Sequence, residues 1–134
     1  MRLLSSLLLV LLLPVPVPAG GQGAQATSAV RADALLRDAL QLALQGDTGA
    51  ALDRLEEAVR VAPGLAEAHY RRGLLLARSA ENGIGDMFQR TRAGNALERA
   101  SRLNPDDPRP YLELGRLRLK QGLMRLDEIG RAHV

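Results

Sequence analysis

Ala51–Pro63 (ALDRLEEAVRVAP) returns 42 residues later as Ala93–Pro105 (AGNALERASRLNP). Ala51, Leu55, Ala58 and Pro63 recur as Ala93, Leu97, Ala100 and Pro105, and the pair Glu56 with Arg60 recurs as Glu98 with Arg102. An acid four residues ahead of a base is the order that supports a helix. The chain therefore holds two copies of one helix, each closed by a proline that cannot continue it. A repeated helix predicts a stacked all-α architecture, in which each unit buries its apolar face against its neighbours.

The segments around the two copies complete the pattern. Val30, Leu35, Leu36, Ala39, Leu42 and Ala43 recur at three- and four-residue spacing, predicting a helix from an N-cap at Ser28 to a stop near Gly46. Asp47 then caps the helix that carries Ala51, Leu55, Ala58 and Val61. A third helix starts at Leu65 or Ala66 and carries Ala68, Gly73, Leu76 and Ala77. Small residues such as Gly73, Ala51 and Ala58 allow helix backbones to approach, and Leu55 or Leu97 fills the gap between hairpins. After the second copy, Asp107 and Pro108 begin another helix with Tyr111, Leu114 and Gly115. A further helix is expected after Gly122, opening near Leu126–Glu128.

His69 and Gly73 lie 34 residues after Leu35 and Ala39. The chain resembles the tetratricopeptide repeat, whose period is 34 and whose pattern ends A-x3-F, then P. The first repeat reads Leu35, Ala39, Leu42, Ala51, Leu55, Ala58, Pro63, and the second His69, Gly73, Leu76, Ala93, Leu97, Ala100, Pro105. The usual aromatics are replaced, and Asp38, Arg72 and Arg118 stand where the family keeps apolar residues, which predicts loose packing there. The resemblance implies a right-handed solenoid of antiparallel helix hairpins over residues 28–128, divided as 28–65, 66–107 and an incomplete 108–128.

In that family the first helix of each repeat lines a concave surface. The matching positions are Asp33, Leu36, Leu40, Leu44, then Glu67, Tyr70, Leu74, Arg78, then Arg109, Leu112, Arg116, Lys120. The resemblance thus implies a groove apolar at one end and basic at the other, with Leu36, Leu40, Tyr70, Leu74, Arg78, Arg109, Arg116 and Lys120 as the protein-binding residues. Tyr70, Arg78, Arg109 and Arg116 are expected to contact a segment of some acidic character. Leu36 and Leu40 replace the Lys and Asn pattern with which some relatives clamp a terminal carboxylate, so recognition of that kind is disfavoured.

The offset of 42 exceeds the family's 34, and the extra residues fall within 81–92 (ENGIGDMFQRTR). Asn82, Gly83 and Gly85 favour a turn, and Asp86 is a candidate cap for a helix extended backwards from Ala93. Met87 and Phe88 are expected to cover the lengthened end of the hairpin, the other reading being an exposed contact for a partner.

Composition narrows the function. The 134 residues suffice for one domain, and the scarcity of aromatics disfavours a β-sandwich. The net charge of +3 is carried by bases interspersed with acids and lacks an aromatic stacking platform, which argues against nucleic acid. Without cysteine there is no disulfide, thiolate nucleophile or Cys-based zinc site. No nucleophile, phosphate-loop, dinucleotide or paired-histidine motif occurs, His69 reads as a packing residue, and the acids stand at ordinary surface spacing. The expectation is a non-enzyme with no cofactor, metal or catalytic residue, whose partner is a protein or peptide. The other reading is the front module of a larger exported enzyme or assembly factor.

Both ends carry signals of a different kind. Arg2, the apolar run Leu3–Leu13 and the small residues around Val17-Pro18-Ala19 have the layout of a bacterial-type signal peptide, 1–19, cleaved after Ala19. The run is too short and proline-broken to span a bilayer, which needs about 20 apolar residues, so no membrane span is expected after cleavage. The absence of a following cysteine and of a twin arginine favours the general secretion route to a periplasmic or extracellular location. Residues 20–27 (GGQGAQAT) read as a flexible linker. Residues 129–134 (IGRAHV) spell a common short-read library adapter, ATC GGA AGA GCA CAC GTC, followed in the adapter by the stop TGA. That tail is expected to be an artefact, with genuine sequence ending at about Asp127 and the chain a fragment of a longer repeat array, since arrays need at least three repeats.

Overall fold

The computed structural model describes residues 20–81 and 86–133. The expected signal peptide, its cleavage site, the turn residues Asn82, Gly83 and Gly85, and Val134 lie outside the described residues. The described residues form five α-helices and no strand: α1 (Gly20–Leu44), α2 (Thr48–Val61), α3 (Ala66–Ser79), α4 (Asp86–Leu103) and α5 (Pro108–Ala132). The packing is sequential, with α1 against α2, α2 against α3, α3 against α4 and α4 against α5, and α3 also meets α5.

Local chemistry sets the boundaries. Gly46 adopts φ 85°, the left-handed conformation that suits glycine. Its N–H bonds the Ala43 carbonyl and the Asp47 N–H bonds Leu42, the double closure that satisfies the last carbonyls of a helix. Asp47 Oδ1 then accepts the Ala50 N–H at 3.0 Å to start α2, as its side chain predicts. Asp107 caps α5 through the Arg109 N–H at 3.0 Å, with Pro108 at the first helical position, where its missing N–H costs nothing.

Two clusters form the core. Ala39, Leu55, Ala58 and Ala68 are buried together under Leu35, Leu36, Val59, Leu65 and Leu75. Tyr70, Leu97, Ala100 and Leu114 form the second, with Leu74 against it. Leu55 and Ala58 in one cluster are the repeat equivalents of Leu97 and Ala100 in the other, so the sequence repeat is also a repeat of packing. His69 is buried as expected, and its Nε2–H donates to the Pro63 carbonyl oxygen at 2.9 Å, which fastens the loop between α2 and α3.

Several expectations are corrected. The helix begins at Gly20, not Ser28, so residues 20–27 are helical and not a flexible linker. The hydroxyls of Thr27 and Ser28 bond back to the carbonyls of Gly23 and Gln25, giving Ser28 a partner inside the helix and no capping role. Val30 is mainly exposed, while the adjacent Arg31 reaches Glu57 of α2 at 2.8 Å and Ala32 is buried. No break occurs at Gly122: among the described residues only Gly46 has positive φ, and α5 runs through Leu126–Glu128 to Ala132 as one helix. Asp38, Arg72 and Arg118, which stand at the positions expected to be apolar, are each engaged in an ion pair. Each reaches across to the neighbouring helix, Asp38 to Arg54 (2.9 Å), Arg72 to Glu56 (3.2 Å) and Arg118 to Glu98 (3.4 Å).

The insertion extends α4 backwards from Ala93 to Asp86, as expected. Met87 and Phe88 do not cover the hairpin end, since they are 82% and 69% exposed. The Arg92 guanidinium lies over the Phe88 ring at 5.7 Å. No helix among the described residues is long and apolar enough to cross a membrane.

Candidate functional site

A furrow runs along α3, bordered by α1 on one side and α5 on the other. Its first half, about 330 Å³, is apolar: Leu40, Ala43 and Leu44 of α1 face Leu74 and Leu75 of α3, with Arg71 and Arg78 at the edge. Its second half, about 240 Å³, is charged: Leu74, Ala77, Arg78 and Glu81 face Glu113, Arg116, Leu117 and Lys120 of α5, with Arg90 entering from α4. Leu74 and Arg78 belong to both halves and form the ridge between them.

Five of the eight residues singled out in the sequence line this furrow: Leu40, Leu74, Arg78, Arg116 and Lys120. The other three serve the fold. Leu36 packs on the first core cluster, and Tyr70 is a member of the second. Arg109 is committed to neighbouring carboxylates: its Nη2 lies 2.7 Å from Glu67 and 2.8 Å from Asp107, and its guanidinium covers the Tyr70 ring at 4.6 Å. Glu67 also accepts from Arg71 at 2.6 Å. Burial would raise the Glu67 carboxyl, but the hydrogen bonds from Arg109 and Arg71 outweigh it and hold the group below its usual range. Bonds from Arg109 to Asp107 and Glu67 raise the guanidinium further, fixing it as a cation.

The basic end of the furrow is largely neutralised. Arg116 pairs with Glu113 at 2.8 Å, and Lys120 pairs with Glu81 at 2.9 Å, which lowers the Glu81 carboxyl. Arg78 makes no ion pair within 4 Å of a described residue and acts on Glu81 through space. Arg90 is buried and its Nη1 reaches the Met124 sulfur at 2.7 Å. Among the described residues, no three His, Asp or Glu side chains gather to hold a metal.

Sequence reasoning missed Ala77 and Glu113, which lie beside the expected positions on α3 and α5, and Glu81, just past the end of α3. Ala77, three residues after Leu74, shares its face of α3, a signal that was present, whereas Glu81 stands in the turn after the helix, where no helical spacing points to it. Arg90 has no such signal, because its position depends on where the insertion lets α4 begin. No protein-family model matches the chain, and no curated protein matches it significantly.

Proposed function

We propose that this chain is an exported protein-interaction module, built as a tetratricopeptide-like right-handed solenoid, that holds a peptide or protein segment in the furrow along α3. The observation that carries the reading is the ridge of Leu74 and Arg78, which joins an apolar half to a charged half and presents an exposed guanidinium that forms no ion pair among the described residues. A segment with aliphatic side chains over Leu40 and Leu44 and an acidic side chain at Arg78 would complement both halves. An exposed guanidinium beside apolar walls favours such a carboxylate, since charge-assisted bonds are stronger than neutral ones. Export rests on the apolar run Leu3–Leu13 and the small residues up to Ala19.

Selection of random peptides on the immobilised full chain tests the reading. Enriched peptides are expected to combine aliphatic residues with an acid, and to lose affinity for both Leu44→Asp and Arg78→Glu. Both positions are exposed, so the variants keep the fold. Absence of enrichment, or undiminished affinity in both variants, would reject the furrow as the binding surface.

A further inference from the structure

The furrow offers very little to a polypeptide backbone. Its apolar half is lined by alanine and leucine side chains of α1, α2 and α3 and by two guanidiniums, Arg71 and Arg78. Among the described residues that line it there is no amide, hydroxyl or carboxylate side chain, so no side chain there accepts a hydrogen bond. Arg71 is already spent on Glu67 at 2.6 Å. The helix backbone is closed as well, since the carbonyls of Gln41, Leu42 and Ala43 accept the N–H groups of Gln45, Gly46 and Asp47.

An extended segment laid on this wall would bury N–H groups with no acceptor to meet them, a cost that folded proteins avoid. A helix bonds its own backbone and brings only side chains to the wall. The register of the wall agrees. Leu40 and Leu44 stand one turn apart on α1, and Leu74 and Arg78 one turn apart on α3. Side chains four residues apart on a bound helix repeat at the same interval, about 6 Å.

Further units of a helical array would not fill this space. Packing is sequential from α1 to α5, so an added hairpin would stack beyond α5, whereas the apolar half lies between α1 and α3. Charge narrows the occupant further. Arg78 is exposed and forms no ion pair among the described residues, while Arg116 and Lys120 across the furrow are paired with Glu113 and Glu81.

Resting on the furrow as the binding surface, we infer that its occupant is an amphipathic α-helix of a partner protein. Aliphatic side chains one turn apart lie against Leu40, Leu44 and Leu74, and an acidic side chain one turn further on meets Arg78.

Two fluorescein-labelled synthetic peptides of about 16 residues, titrated into the full chain, test this. They share one composition: the first carries Leu-x3-Leu-x3-Glu, and the second puts the same three residues at alternate positions, as a strand presents them. Anisotropy is expected to show saturable binding of the first, with a gain of helical circular dichroism, and at least tenfold weaker binding of the second. Replacing the glutamate by lysine is expected to weaken the first peptide at least tenfold, and the Arg78→Glu chain to restore its affinity, a rescue that misfolding cannot produce. Equal or tighter binding of the alternating peptide overturns the helical occupant and leaves the furrow as a binding surface. No binding of the first peptide, no rescue by the charge exchange, or self-association of the chain that excludes the peptide also overturns it. Failure of the furrow itself shows separately, as affinity for every selected peptide that neither Leu44→Asp nor Arg78→Glu changes.

Discussion

Leu97 occupies the space that a side chain on Gly73 would need, its Cγ standing 2.7 Å from the position of a Cβ there. The neighbouring obstacle is backbone, the Ala93 carbonyl oxygen at 3.2 Å, so α3 and α4 cannot relax by a rotamer change alone. Gly73→Ala is expected to destabilise the chain by about 1–2 kcal/mol, because overpacking of about 1–3 kcal/mol exceeds the helix-propensity gain of about 0.5–1 kcal/mol. Gly94→Ala meets Leu117 at an ordinary 3.7 Å and should stabilise by about 0.5–1 kcal/mol. Urea denaturation of the two variants checks the opposite signs.

The two repeat leucines should behave alike. Leu55 and Leu97 are both fully buried at equivalent positions, one in each core cluster. Truncation to alanine is expected to cost about 2–5 kcal/mol at either site. Against a typical total of about 5–15 kcal/mol, each change removes a large part of the stability. A melt monitored at the helical circular-dichroism band decides it, and an unchanged midpoint for either variant would remove that leucine from the core.

Much of this was legible in the chain itself. The recurrence of Ala51, Leu55 and Ala58 as Ala93, Leu97 and Ala100 is a periodicity of the residues that are buried, so hairpins and core followed directly. Asp47, Gly46 and Pro108 are local signals and also read correctly. The long-range partners were not legible: Arg109 and Glu67 stand 42 residues apart, and only the packing of α5 on α3 shows that this arginine joins helices and leaves the furrow. Helix ends without strong signals were misread for a related reason. Neither Gly20–Thr27 nor Gly122 carries a turn that forces the chain out of a helix, and composition alone does not supply one.

Arg109 and Glu67 join α3 to α5, but their contribution should be modest. Their side chains are 46% and 29% exposed, and solvent screening limits such pairs to about 0–1 kcal/mol. A double-mutant cycle with Arg109→Met and Glu67→Gln should give a coupling of up to about 1 kcal/mol, reduced by salt. Arg116→Ala, at a pair on a more exposed arginine, should leave stability unchanged.

Stability should fall as the pH drops below about 6.5. Burial lowers the His69 imidazole from its ordinary 6.5, outweighing the Pro63 hydrogen bond, with Arg99 and Arg72 adding to the decrease. The unfolded chain therefore takes up a proton first, and stability declines with falling pH until the folded imidazole also protonates. Glu67 follows at lower pH: its depressed carboxyl contributes above the ordinary carboxylate value and loses that contribution as the folded group protonates. Chemical denaturation between pH 8 and pH 5 should show the slope, and His69→Gln should flatten it.

Lys120 is the sole lysine in the sequence, every other base being arginine. It stands in the charged half of the furrow, 43% exposed and held by Glu81. Amine-directed chemistry therefore has a single side-chain target, beside the ridge of Leu74 and Arg78. A reporter dye or a short crosslinker coupled to amines would mark this furrow without engineering a handle, and its protection by a bound segment would give a direct footprint of occupancy.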